Sequence, residues 1–163
     1  DLPPGRKSDY VRILCRSGSE AFSLDLRGGR PVVEDIPKNR RQDDRAVAEV
    51  LKTLQEFPVR NLYRRADLAT LAWPARLDFH RKDGTVYRIE LAEKDGRHFA
   101  RAGAVADNAA ARGNAASGDS VQGATQPALD AAGAFNRDHG DWVYEIDPSW
   151  MHAARTTQKD LLE

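Results

Sequence analysis

The stretch RAGAVADNAAARGNAASGDSVQGATQPALDAAG, residues 101–133, separates two segments that read as β-strand. If the folded sheet ends there, everything beyond is a tail; if the sheet resumes, the stretch is an excursion from one continuous domain. From about residue 102 to 135 large apolar side chains are few. Burial then cannot offset an ordering entropy of ~1–2 kcal/mol per residue. The expectation is a flexible Ala/Gly-rich insertion at about residues 102–135, with room for a short helical piece because alanine favours helix.

The flanking sequence shows what is interrupted. YVRILCR (residues 10–16) and AFSLDL (21–26) alternate apolar and polar residues around SGSE, the pattern of a β-hairpin. PVVED (31–35) adds a short third strand after Gly28-Gly29. In DDRAVAEVLKTLQEF the period changes: Val47, Val50, Leu51 and Leu54 form one helical stripe, with Asp43 or Asp44 as the cap. A linker with a helical turn over residues 67–73 ends at Pro74. ARLDFHRKDGTVYRIELAEKDGRHFARAG then reads as a meander, turning at Asp83-Gly84 and Asp95-Gly96. Past the Ala-rich stretch, Trp142, Tyr144 and Ile146 share one face of DWVYEID. Asp147-Pro148 opens a closing helix through Met151 toward Leu162.

The two halves resemble each other. RILCRSGSEAFSLDL superposes on RLDFHRKDGTVYRIEL with one gap at the turn, matching Arg12 to Arg76, Ile13 to Leu77 and Cys15 to Phe79. Phe22, Leu24, Asp25 and Leu26 match Tyr87, Ile89, Glu90 and Leu91. Each half also presents a later strand and a helix, so the reading is a duplication. The sheet therefore continues past the insertion. The expected fold is α+β: duplicated antiparallel β-meander plus helix units, at about residues 9–57 and 75–163, with helices on one face of the sheet. Residues 1–163 form a single domain in this reading.

Composition narrows the function classes. The 163 residues carry 25 Lys+Arg against 25 Asp+Glu, a net formal charge of zero. A dedicated nucleic-acid binder shows a basic excess, so no nucleic-acid partner is expected. The basic clusters KNRRQDDR (38–45) and RNLYRR (60–65) read as solvated helix flanks. Cys15 is the lone cysteine and reads as a small buried hydrophobe, leaving the redox compartment open. No apolar run approaches the ~20 residues of a membrane span. The chain begins at Asp1 without a signal-peptide pattern, as expected of a domain excised behind a targeting or anchoring segment.

In order, VRILCRSGSEAFSLDL, QDDRAVAEVLKTLQEFPVRNLY, DLATLAWPARLDFHRKDGTVYRIEL, HFARAG and WVYEIDPSWMHAARTTQKDLLE resemble the bacterial domain of unknown function 4340 family. The resemblance covers nearly the whole chain outside the insertion. It implies an N-terminal membrane anchor, a location on the extracytoplasmic, periplasmic face, and protein partners among ABC-type transporter subunits related to gliding-motility exporters. The chain departs from the family pattern in its long insertion and in PVVED, where a tryptophan is common. The resemblance supplies no catalytic residues.

His80, His98, His139 and His152 form no HExxH, HxH or His/Cys cluster, so neither a metal nor a cofactor is expected. RDHGDW places His139 between Asp138 and Asp141, either a polar loop or an acid–base or metal group. RSGSE lacks the setting of a nucleophile elbow, and DLRGGRP lacks the Lys-Ser/Thr and helix start of a phosphate loop. Trp142 and Trp150 are the candidate partner-binding residues, since tryptophan offers a large rigid contact; core packing is the alternative for both. Two functions are carried forward. One is a non-enzymatic extracytoplasmic interaction or substrate-handling domain of a membrane-anchored, ABC-transport-associated protein. The other is a small hydrolase or metal-dependent enzyme built on Asp138, His139 and Asp141.

Overall fold

A computed structural model of the chain describes residues 3–4, 6–107 and 125–163. The two halves share an element order. The first runs β1 (Tyr10–Ser17), β2 (Glu20–Asp25), β3 (Val32–Val33), α1 (Asp44–Gln55) and β4 (Val59–Arg64). The second runs β5 (Ala75–Arg81), β6 (Thr85–Lys94), β7 (Arg97–Ala106), α2 (Gln126–His139) and β8 (Trp142–Ile146), followed by α3 (Pro148–Ala154). All eight strands join one sheet in the order β3-β2-β1-β5-β6-β7-β8-β4, each neighbouring pair antiparallel. The fold is α+β.

The first strands of the halves, β1 and β5, are neighbours inside the sheet, and each meander runs outward from that seam. β8 continues the second meander beside β7. β4 does not return to β3; it crosses to the opposite edge and pairs with β8, tying the first half into the second. The final residues fasten onto the start of α1, where Asp43 N–H donates to Leu161 C=O at 2.8 Å and Arg41 and Glu163 exchange backbone bonds.

Side-chain alternation divides the sheet into two faces. Ile13, Cys15, Phe22, Leu24, Leu77, Phe79, Tyr87, Ile89, Leu91 and Ile146 lie in one buried core with residues of all three helices. α1 contributes Val47 and Leu54 to that core, with Val50 and Leu51 half-buried against it. Its start is capped by the Asp43 carboxylate, which accepts the Arg45 and Ala46 N–H groups. Asp147 caps α3 in the same way through Ser149 N–H, with Pro148 in the first turn. Both DG turns form, Asp95 and Gly96 each adopting positive φ (54° and 71°).

Four expectations are corrected. The flexible insertion does not extend over residues 102–135: residues 102–106 complete β7, and 126–135 belong to α2. The rest of it, 108–124, lies outside the described residues. α2 is ordered without many large side chains because Ala128, Ala132 and Phe135 fall on one buried stripe. The strand it covers is equally small-surfaced at Ala100, Ala102 and Ala104, so helix and sheet approach closely. RNLYRR is an edge strand rather than a helix flank. Its residues are mostly exposed, which removes the alternation that would mark it. The closing helix ends at Ala154 and resumes only as a 3-10 turn, Gln158–Leu161. Finally, Trp150 is 0% exposed and cannot present a partner-binding surface. Among the described residues, no helix is long and apolar enough to cross a membrane.

Candidate functional site

The residues singled out at the end of α2 do not converge. His139 packs its ring against Phe135, with centroids 4.4 Å apart, and its Nδ1 lies 2.6 Å from the Tyr144 hydroxyl. Its partner is therefore a phenol, not a carboxylate. Burial holds the imidazole pKa below its ordinary value, against the opposing pull of Asp138. Burial likewise pushes the Tyr144 phenol upward, so both groups stay neutral near pH 7. Asp138 and Asp141 are exposed, and neither side chain reaches the imidazole. Among the described residues, no group of three or more His, Cys, Asp or Glu is placed to hold a metal ion. The arrangement is a latch between α2 and β8.

Trp142 remains half-exposed at the start of β8, but the Arg64 guanidinium lies over its ring at 4.1 Å. Trp150 sits in the core edge-on to Phe57, centroids 5.0 Å apart. The edge strand beside Trp142 is blunted against pairing. β4 carries a register irregularity between Val59 and Asn61, and the Asn61 side-chain carbonyl accepts the Leu62 N–H at 2.9 Å. Arg60 and Arg64 add charge to it, a common defence of sheet edges.

The sheet face away from the helices is polar and carries several ion pairs. Arg76 and Arg88 both donate to Asp78, and Arg101 bonds Glu90 at 2.6 Å while lying over the Trp73 ring. Arg12 pairs with Glu34, and Arg97 with Glu145, at 2.6 Å each. Ala92, Phe99 and Val143 form a small second core under Tyr63, Leu68, Leu71 and Trp73.

The concave feature lies on the helix side. A cavity of about 620 Å³ opens between α1 and the sheet. Its floor is Tyr10 and Ile13 of β1 with Phe79 of β5; Leu51, Leu54 and Gln55 of α1 form one wall. Leu26, Gly29 and Pro31 form the opposite wall, and Pro3 and Ser8 close the end. The strands put apolar side chains there because the same alternation that builds the core continues to the end of the β1–β5 seam. α2 lies over β6 and β7 and contributes no described residue to the lining. Tyr10 meets Phe79 edge-on at 6.0 Å and donates its hydroxyl to the Pro4 carbonyl. Burial, then the nearby Tyr87, push its pKa well above the ordinary phenol value. The floor is thus aromatic, aliphatic and uncharged.

Sequence reasoning did not single out these residues. They come from four separated segments with no motif among them, and the apolar ones read as ordinary core. No family model, curated protein or solved structure matches the chain.

Proposed function

We propose that this chain is a non-enzymatic binding domain that receives a small apolar molecule in the cavity between α1 and the β1–β5 seam. In the setting implied by the family resemblance, it acts as an extracytoplasmic substrate-handling domain beside ABC-type transporter subunits. The cavity carries the reading. Its volume of about 620 Å³ lies within the ~300–1,000 Å³ range of small-ligand sites, and its surface is mainly apolar with few polar groups. No nucleophile–base pair adjoins it among the described residues, so binding rather than chemistry is the activity supported.

The test is titration with Nile red, an uncharged apolar dye whose emission rises on leaving water. The wild-type domain is expected to give a saturable, one-to-one enhancement. Leu51→Trp, which fills the cavity from a half-buried wall position, is expected to abolish it while leaving cooperative unfolding intact. Absence of saturable enhancement in the wild type, or equal enhancement in a folded Leu51→Trp variant, overturns the reading.

A further inference from the structure

The ligand's chemistry can be narrowed; this step rests on the cavity's being a binding site. We infer that its occupant is an uncharged amphiphile. The apolar chain lies against Tyr10, Ile13 and Phe79, and a hydroxyl- or amide-type end sits at the mouth beside Gln55 and Ser8.

Three observations carry this. Among the described residues, none that lines the cavity is charged, and the one ionisable group, Tyr10, is kept neutral by burial and donates its hydroxyl to the Pro4 carbonyl. An ion entering the floor would lose hydration without a countercharge, a large cost in an apolar setting.

Three of the charged residues beside the lining are already paired. Arg27 beside Leu26 pairs with Asp25 at 2.6 Å, and Arg30 beside Gly29 pairs with Asp44. Asp9 beside Ser8 lies 3.9 Å from Arg81, which also faces Asp83 at 3.5 Å and the Tyr87 hydroxyl at 3.5 Å. An anionic head here meets two carboxylates for one guanidinium. A cationic head would have to compete with Arg81 for both of them.

The remaining polar groups of the lining are neutral and free. The Ser8 hydroxyl and the Gln55 amide are exposed and make no hydrogen bond among the described residues. Gln55 ends α1 and Ser8 precedes β1, so both border the opening while the buried Ile13 and Phe79 form the floor. An amide offers both donor and acceptor to an alcohol or amide head.

The experiment displaces Nile red with 1-dodecanol, dodecanoate or dodecylammonium at pH 8, each below its aggregation concentration. Dodecanol is expected to displace the dye at a concentration about tenfold or more below either ion, an affinity difference readily resolved. Gln55→Lys, which replaces the amide at the mouth with a cation, is expected to lower the dodecanoate concentration about tenfold and to raise that of dodecanol. If dodecanoate or dodecylammonium matches dodecanol in the wild type, the inference is overturned. It is also overturned if all three fail to displace a bound dye, or if Gln55→Lys leaves dodecanoate unaltered. In each of those cases the cavity remains a binding site; failure of the dye itself to bind removes the underlying reading instead.

Discussion

Leu14 and Asp78 face each other across the β1–β5 seam, and each is the other's counterpart in the two halves of the chain. On either side of them Ile13 pairs with Phe79 and Cys15 with Leu77. Since Ile13 corresponds to Leu77 and Cys15 to Phe79, both pairings exchange counterparts. A local two-fold relation therefore passes through the Leu14–Asp78 pair, as expected when two copies of one meander join edge to edge. The halves differ at this point. One keeps an apolar residue; the other carries a carboxylate that is 3% exposed.

That carboxylate is held by Arg76 and Arg88. Burial alone would raise its pKa, but hydrogen bonds and charge from the two guanidiniums outweigh it and hold the value below the ordinary carboxylate range. A depressed folded pKa gives stability that is present above the unfolded value and lost as pH falls through the folded one. Asp78→Asn is expected to lower stability at pH 7 by about 1–3 kcal/mol, limited because both arginines are a third exposed and can rehydrate. In urea denaturation the gap between wild type and variant should narrow below about pH 4. A gap independent of pH contradicts the assignment.

Asn136 on α2 acts as a substitute strand for β7. Its side-chain carbonyl accepts the Ala104 N–H at 2.7 Å, and its amide donates to the Ala104 C=O at 2.8 Å. β8 pairs with β7 only from His98 to Ala100, so Asn136 satisfies the edge beyond that point. Asn136→Ala is expected to cost about 1–3 kcal/mol, the range for stranding such groups. Asn136→Asp is more informative. Ionised, it repels the Ala104 carbonyl; protonated, it regains a donor. Its stability relative to wild type should recover between about pH 6 and pH 3, and a constant deficit across that range counts against the edge-capping role.

The contrast between α1 and α2 explains how far the fold was legible. α1 announced itself because Val47, Val50, Leu51 and Leu54 are large and Asp43 is a strong cap. α2 buries Ala128, Ala132 and Phe135, and alanine is as common on a helix surface as beneath it. Its signal lay in Thr125, which caps α2 by accepting the Ala128 N–H, and in Pro127 in the first turn. β4 was obscured because an edge strand exposed along most of its length has no buried face to write into sequence. The cavity was illegible for another reason. Tyr10, Leu26, Leu51 and Phe79 look like core, and what makes them a site is the space left between α1 and the β1–β5 seam.

The two tryptophans considered for partner docking differ in burial and should separate in denaturation. Trp150 is fully buried against Phe57, so Trp150→Ala is expected to cost about 3–5 kcal/mol. Trp142→Ala removes a half-exposed ring and its stacked Arg64, and should cost only about 1 kcal/mol. Equal destabilisation by the two substitutions would be inconsistent with these positions.

The His139–Tyr144 latch makes stability depend on pH on the acid side of neutrality. With the imidazole neutral, Nδ1 can accept the phenol hydrogen; once protonated, Nδ1 must donate and the phenol must turn its hydrogen away. Burial lowers the folded pKa of His139 below the ordinary imidazole value, although Asp138 opposes the shift. The unfolded chain therefore takes up the proton first as pH falls. Stability is complete above the unfolded value and declines as pH drops through 6.5 toward the folded value. His80, also half-buried and lowered, contributes a decline in the same window, so wild type alone does not isolate the latch. His139→Gln retains a side chain able to bond the Tyr144 hydroxyl but does not titrate, and it leaves His80 untouched. It is expected to be less stable than wild type at pH 8, where the ring stacks fully on Phe135. By about pH 5 the two unfolding curves should converge or cross, because only wild type carries the second protonation penalty. Parallel urea midpoints from pH 8 to pH 5 would show that His139 is not the group whose burial is linked to pH.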